Sequence, residues 1–187
     1  MKAFLKSLRP LLTCAASLMF MAVSCPHYYD PFEEETSSGR DILGFYVDES
    51  PVIYRDVYIT KIGEDSLEIS STFWLDHYEQ LTIRFAKKDM SLDAPISNPK
   101  ITLKYLYSLT NKENQHTGEM TFHPEYHTLE AESGELSFRY IGPHESITNM
   151  EVISGNFSFE GTKILISGET QKLVATGGTF DLKHVIE

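Results

Sequence analysis

Cysteine is scarce in this sequence, since its 187 residues include only Cys14 and Cys25. Two cysteines cannot build a disulfide framework or a four-thiolate zinc site. Basic side chains are also few, because 16 Lys and Arg face 27 Asp and Glu and give a formal net charge of −11. Nucleic-acid phosphates bind clustered Lys and Arg. The composition therefore predicts no nucleic-acid partner and no purely electrostatic docking on anionic lipid.

The sequence also has no long hydrophobic run. Its longest apolar stretch, from Leu11 to Val23, is shorter than the roughly 20 residues that a membrane-spanning helix needs. The stretch follows Lys2, Lys6 and Arg9 and leads into small residues. A basic start, a short apolar region and small residues at a cleavage point are typical of a secretory signal. We therefore predict a signal peptide over residues 1–24.

The residues around the predicted cleavage point read Ala-Val-Ser-Cys over positions 22–25. This run resembles the lipobox of bacterial lipoproteins, in which the cysteine is acylated and the signal is cleaved just before it. The resemblance implies lipidation of Cys25 and an outer-membrane anchor, with the protein facing the periplasm or the cell surface. The alternative is an ordinary cleaved signal with a chance cysteine. Cleavage removes three basic residues and no acidic one, so 13 basic and 27 acidic side chains remain, a net charge of −14.

Residues 25–41 contain prolines, serines and an acidic triplet, without apolar periodicity. This composition predicts a flexible acidic tether between the lipid and a folded domain. The triplet, Glu33 to Glu35, has two interpretations. Acidic residues after a lipidated cysteine resemble the surface-export signals of some Gram-negative lipoproteins, but this triplet starts farther along the chain than such signals do. The alternative is a solvated charge run in a linker.

From Ile42 to Glu187 the apolar residues alternate with polar ones, and turn residues separate the alternating runs. Alternation rich in Thr, Tyr, Phe, Ile and Val is the pattern of half-buried strands. We predict a single all-β domain over residues 42–187, with turns that include Ser133-Gly134 and Asn111 to Asn114. About ten short strands favour an antiparallel β-sandwich, and the alternative is a closed, lipocalin-like β-barrel.

Two aromatic runs mark the C-terminal third of the chain: Ile-Ser-Gly-Asn-Phe-Ser-Phe over 153–159 and Gly-Thr-Phe-Asp over 178–181, with a polar segment between them. Together with the lipobox, they resemble small Gram-negative envelope lipoproteins of unknown function, of the kind found in gut anaerobes. The resemblance implies an all-β lipoprotein and supplies no catalytic residues.

The same two runs predict a paired set of core residues. If the strands pair, Phe157, Phe159, Phe180 and Leu182 share one core-facing side. We expect Gly155 and the pair Gly177-Gly178 to serve turns or bulges that need positive φ.

Few residue patterns in the sequence point to chemistry. His116, His123 and His127 lie within twelve residues, and imidazoles are zinc ligands, so they form a weak candidate metal site. The competing interpretation is scattered surface histidines. Serine hydrolases of the Gly-x-Ser-x-Gly type are not indicated, because that motif is missing from the sequence. We therefore expect a protein that is not an enzyme and needs no cofactor.

Aromatic residues cluster between two predicted strands, where Phe73, Trp74 and Tyr78 occur within six residues. Exposed aromatic rings bind sugars and anchor protein interfaces, whereas buried ones close the end of a core. We take these three residues as the candidate ligand-binding site. The leading hypothesis is a non-catalytic binding module for a glycan or protein partner. The alternatives are a barrel that carries a small apolar ligand and a structural subunit of a surface assembly.

Overall fold

The strand-forming part of the chain is described by a computed structural model that covers residues 38–71, 78–113 and 120–185. All pairings between its strands are antiparallel, and one 3₁₀ turn at Lys87–Asp89 is the only helical element in these ranges. The all-β prediction is confirmed. The ten strands are β1 (Ile42–Val47), β2 (Ser50–Tyr54), β3 (Val57–Ile62), β4 (Ser66–Ser71), β5 (Tyr78–Ala86), β6 (Ile96–Ser97), β7 (Lys100–Glu113), β8 (Met120–Pro143), β9 (Met150–Ile164) and β10 (Thr170–Val185).

The strands form one curled sheet in the order β2-β1-β10-β9-β8-β7-β5-β4-β3, and β6 pairs with β8 beside this path. The two edge strands, β2 and β3, are consecutive in sequence and are joined only by Arg55 and Asp56. The Cα atoms of Tyr54 and Val57, the ends of the two strands, are therefore at most about 11 Å apart. The short link therefore holds the two edges of the sheet close together at one point, and the sheet forms a half-barrel.

Strand β8 connects the two halves of the curled sheet. Its first half, Met120 to Glu130, pairs with β7, and its second half, Ala131 to Pro143, pairs with β9. A strand that passes from one layer to the next is how orthogonal β packings turn their corners. The fold thus combines features of both predicted architectures, because the sheet is continuous as in a barrel and its two halves enclose one core as in a sandwich.

Alternate residues of the strands fill the interior, as the period-two pattern predicts. The core is one continuous cluster to which β1–β5 and β7–β10 contribute. Its aromatic centre is Phe45, whose ring meets those of Phe157 and Phe159 edge-on at 5.9 and 5.7 Å. Phe157, Phe159, Phe180 and Leu182 are all buried, which confirms the prediction for these four residues.

Strands β9 and β10 pack closely at two reciprocal glycine–phenylalanine pairs. Gly155 lies opposite Phe180, and Phe157 lies opposite Gly178. A Cβ on Gly155 would lie 2.6 Å from Cζ of Phe180 and would overlap the carbonyl oxygen of Ser137. A Cβ on Gly178 would overlap the carbonyl oxygen of Phe157 and meet its ring at 2.9 Å. Each glycine therefore leaves the space that a partner ring or carbonyl occupies.

This arrangement corrects the expected role of two glycines. Only Gly177 has positive φ, at 59°, and it lies where the register of β10 shifts between Ala175 and Gly178. Gly155 and Gly178 are needed for close packing and not for positive φ. The predicted turn at Ser133-Gly134 is also wrong, because both residues lie within β8, where Gly134 leaves room for the carbonyl oxygen of Ser158.

The segment just before β1 is fixed to the end of β10. Asp181 is buried and accepts hydrogen bonds from the backbone N–H groups of Ser38, Gly39 and Arg40, at 3.3, 2.8 and 3.4 Å. Asp41 accepts a hydrogen bond from the N–H of Lys183 and forms an ion pair with its Nζ at 2.8 Å. These bonds fix the point at which the chain enters the sheet. Within the described ranges, no helix has the length and hydropathy that spanning a membrane takes.

The glycine–phenylalanine pairs predict a large effect of a single methyl group. Gly155→Ala forces the added Cβ against Phe180 and the backbone of β8, so we expect a loss of about 1–3 kcal/mol in the free energy of unfolding. Urea denaturation measures this loss. Gly63→Asn is the control, because Gly63 has positive φ, a Cβ there meets open space, and Asn tolerates this conformation. Equal stability of the Gly155→Ala variant and the wild type would contradict the packing role.

Candidate functional site

Tyr78 begins β5 and is the one residue of the predicted aromatic site that the structure describes. In the strand register, Tyr78 pairs with Tyr105 of β7, and Tyr105 pairs with His127 of β8. Tyr78, from the predicted aromatic site, and His127, from the predicted metal site, thus lie in one row across three neighbouring strands, with Tyr105 between them. Phe73, Trp74 and His116 lie outside the described residues.

A groove opens next to this row, between β7 and the hairpin that joins β9 to β10. Its volume is about 440 Å³, which is within the range of small-ligand sites. We call it the hairpin groove; its lining residues are Tyr105, Leu106, Tyr107, Lys163, Ile164, Leu165, Ile166 and Ser167. The residues on one wall come from the half of the sheet that contains β7, and those on the other wall come from the half that contains β9 and β10.

The hydroxyl of Tyr105 joins the two walls of the groove. It accepts a hydrogen bond from the N–H of Ile164 at 2.8 Å and donates one to the carbonyl oxygen of the same residue at 3.2 Å. The ring of Tyr105 is buried in the core. Tyr105 therefore holds the end of β9 at a fixed position relative to β7 and sets the width of the groove.

Tyr107 and His127 form a stacked pair beside Tyr105. Their ring centroids are 3.9 Å apart and their planes differ by 7°. The register between β7 and β8 shifts between Leu106 and Ser108, so Tyr107 is the extra residue of a bulge. Bulges re-aim a side chain, and here the ring of Tyr107 lies over His127. His127 also lies near Glu125, whose Oε1 is 3.8 Å from its Nε2, and its ring meets that of Tyr105 edge-on at 6.2 Å.

Aliphatic side chains at this end of the sheet are unusually exposed. Ile166 is 71% exposed, Leu109 58% and Ile164 43%. Ile164 and Ile166 line the hairpin groove, and Leu109 lies two residues beyond Tyr107 on β7. These side chains make the rim of the hairpin groove apolar.

The described histidines do not lie in a metal-binding cluster. His123 and His127 both lie on β8, four residues apart, and His127 is stacked on Tyr107. Within the described ranges, no group of three His, Cys, Asp or Glu side chains comes close enough to hold a metal ion. The metal-site hypothesis for His116, His123 and His127 gains no support from the two residues that the structure describes.

A second cavity of about 540 Å³ runs along the edge strand β3 and shares no lining residue with the hairpin groove. We call it the β3 cavity. Its lining carries charges of both signs, from Lys61, Lys87 and Lys183 and from Asp41, Glu64 and Glu151. Tyr58 and His184 are the residues with aromatic rings among those that line it. Within the described residues, the lining of the β3 cavity contains no stacked pair like that of Tyr107 and His127.

Sequence reasoning missed Tyr105, Tyr107, Ile164 and Ile166. The segment between the two C-terminal motifs, described above as polar, contains Ile164, Leu165 and Ile166 in succession, and Ile166 is itself a turn residue together with Ser167. Hairpin connections are usually polar. Three adjacent apolar residues at such a position were the available signal for an exposed binding surface.

Comparison of the chain with protein-family models, curated protein sequences and solved structures finds no match. The geometry of the site and the sequence motifs therefore carry the functional argument.

The hydrogen bonds of Tyr105 predict a defined loss of stability. Tyr105→Phe keeps the buried ring but leaves the N–H and C=O groups of Ile164 without the hydroxyl, so unfolding should require about 1–2 kcal/mol less free energy. Chemical denaturation provides the measurement. Tyr58→Phe, at an exposed tyrosine on β3, is the matched control and should change stability little. A Tyr105→Phe variant as stable as this control would show that the hydroxyl does not hold the groove together.

Proposed function

We propose that this protein is a non-catalytic, lipid-anchored binding module of the bacterial envelope and that it binds a glycan in the hairpin groove. The observation that carries the proposal is the stacked pair of Tyr107 and His127 beside the groove. Sugar rings present C–H groups on one face and hydroxyls at their rim. An aromatic ring with nearby polar groups matches both features.

The polar groups of the groove suit this kind of ligand. Lys163 and the hydroxyl of Tyr107 offer hydrogen-bond donors, and the Tyr107 hydroxyl can also accept. Ile164 and Ile166 supply apolar contact on the opposite wall. The groove thus offers a ring face, an apolar wall and hydrogen-bonding groups within one concave surface.

The packed interior favours surface binding over carriage of an apolar ligand inside a barrel. Carrier barrels hold their ligand in a lumen that inward side chains leave open. In this protein the inward residues form one continuous core, and Phe45, Phe159 and Phe180 are completely buried within it. A ligand is better accommodated at the hairpin groove than between these rings.

A protein partner is the second candidate for the groove, and the exposure of Leu109 and Ile166 favours it. Aliphatic side chains make no hydrogen bonds to sugar hydroxyls, whereas they are common at protein interfaces. The two candidates make different demands on the groove, because a glycan needs the Tyr107 ring face and a protein needs the exposed aliphatic residues.

Substitution of Tyr107 tests the glycan proposal. In a screen of the full chain against neutral and acidic oligosaccharides, we expect binding to at least one class. Tyr107→Ala should weaken that binding at least about tenfold, because loss of one stacked ring contributes about 1.4 kcal/mol or more. Isothermal titration calorimetry measures the affinities. Tyr58→Ala, which removes a ring from the β3 cavity, should bind like the wild type.

Two results would contradict the glycan proposal. A wild-type chain that binds no oligosaccharide in the screen excludes it. Binding that Tyr58→Ala abolishes and Tyr107→Ala leaves intact would place the ligand in the β3 cavity. Leu109→Ser tests the second candidate, a protein partner. The substitution removes an exposed aliphatic side chain and leaves the stacked rings in place, so it should weaken binding of a protein and not of a glycan.

The membrane anchor is proposed from the sequence motif around Cys25. Several acyl chains on one cysteine, at about 0.8 kcal/mol per buried methylene, hold a protein on a bilayer durably. The anchored chain would display the groove at the envelope, at the end of the acidic segment that precedes β1. This placement suits a module that captures a ligand near the membrane.

Replacement of the predicted lipidated residue tests the anchor. Cys25→Ala should move the protein from the membrane fraction to the soluble envelope fraction and abolish labelling by a palmitate analogue. Cys14→Ala is the matched control, because Cys14 belongs to the predicted signal peptide and should leave both properties unchanged. Continued membrane association and labelling of the Cys25→Ala variant would contradict the proposal.

A further inference from the structure

Lys163 gives the hairpin groove a distinct electrostatic character. It is the only residue with a charged side chain among the eight that line the groove. The complete chain carries a net charge of −11, so a groove whose single charged lining residue is positive departs from the rest of the molecule.

Some of the other basic side chains of the described part, unlike Lys163, have partners. Lys172 pairs with Glu160 at 2.6 Å, Lys183 with Asp41 at 2.8 Å, and Lys104 lies over the ring of Tyr126. Lys163, which is half-buried at the end of β9, forms no ion pair with any residue in the described ranges. A partly desolvated ammonium group without a counter-charge is suited to bind an anion.

Two acidic residues close in sequence to the groove or to its stacked pair, Glu125 and Glu169, are hydrogen-bonded to other groups. Glu125 accepts a bond from the hydroxyl of Ser108 at 3.0 Å and faces His127. Glu169 accepts a bond from the hydroxyl of Ser167 at 3.2 Å. Because these carboxylates have partners of their own, a carboxylate on the ligand is the group that would complete the site at Lys163.

We infer that the ligand of the hairpin groove is an acidic glycan, one whose sugar ring carries a carboxylate as in uronic acids. The ring stacks beside Tyr107 and His127, and its carboxylate pairs with Nζ of Lys163. This inference rests on the proposed glycan-binding function, and it adds the chemical class of the sugar and the residue that selects it.

Matched ligands and variants test the role of the charge. The full chain is titrated with uronic-acid oligosaccharides from galacturonan, alginate and hyaluronan, and with the same oligosaccharides after their carboxyl groups have been reduced to alcohols. For at least one pair, we expect the acid to bind about five- to tenfold more tightly than its reduced form, as for a hydrogen-bonded charge pair. The preference should decline as salt is raised from 0.05 to 0.5 M, values we choose as test conditions on either side of physiological ionic strength.

Lys163→Gln should reduce this preference to about one while it leaves binding of the reduced oligosaccharide unchanged. Lys100→Gln, at an exposed lysine at the start of β7, is the control and should keep the preference. Tyr107→Ala should weaken both forms together. This pattern separates the contribution of the charge from that of the ring.

The possible failures are distinguishable. Equal binding of the acid and reduced forms by the wild type overturns the inference about charge and leaves the glycan proposal standing. A preference for the acid that survives in Lys163→Gln also overturns the inference, because another residue then provides the charge. Absence of binding to either form overturns the inference, and it overturns the glycan proposal as well when the wider screen of neutral and acidic oligosaccharides also finds no binding.

Discussion

The arrangement of this protein depends on strand β8, which pairs with β7 through its first half and with β9 through its second. Every other strand belongs to one half of the curled sheet or the other. Because β8 is shared, the corner where it changes partners fixes the position of β7 relative to β9. The hairpin groove lies between β7 and the β9–β10 connection, so its shape is a consequence of this corner.

Three local features refine the geometry that β8 imposes. The reciprocal glycine–phenylalanine pairs bring β9 and β10 close together without loss of core aromatic rings. The hydroxyl of Tyr105 then ties the end of β9 to β7. A bulge at Tyr107 turns its ring onto His127. The long strands thus position the groove, and the side chains of Tyr105 and Tyr107 define its details.

The sequence predicted the fold class and its core well, because alternation of apolar and polar residues directly reports which side of a strand is buried. It failed where a residue has two possible roles. Gly134 and Gly155 have the composition of a turn or bulge, yet both lie inside strands to admit a neighbouring carbonyl or ring, which only the register reveals. Tyr105 was not singled out from the sequence, because its hydroxyl partner, Ile164, lies 59 residues away and is revealed only by the fold. Tyr78 and His127 were predicted as members of separate sites, and the pairing of β5, β7 and β8 brings them into one row.

The central claim, that ligand binds in the hairpin groove, is tested most directly by amide chemical shifts. The full ¹⁵N-labelled chain is titrated with the tightest-binding uronic-acid oligosaccharide and its spectra are recorded at each step. The account predicts that shifts concentrate at residues 105–107, 127 and 163–167, which line the groove or stack beside it. Shifts concentrated instead at residues 57–61, along the β3 cavity, would contradict it.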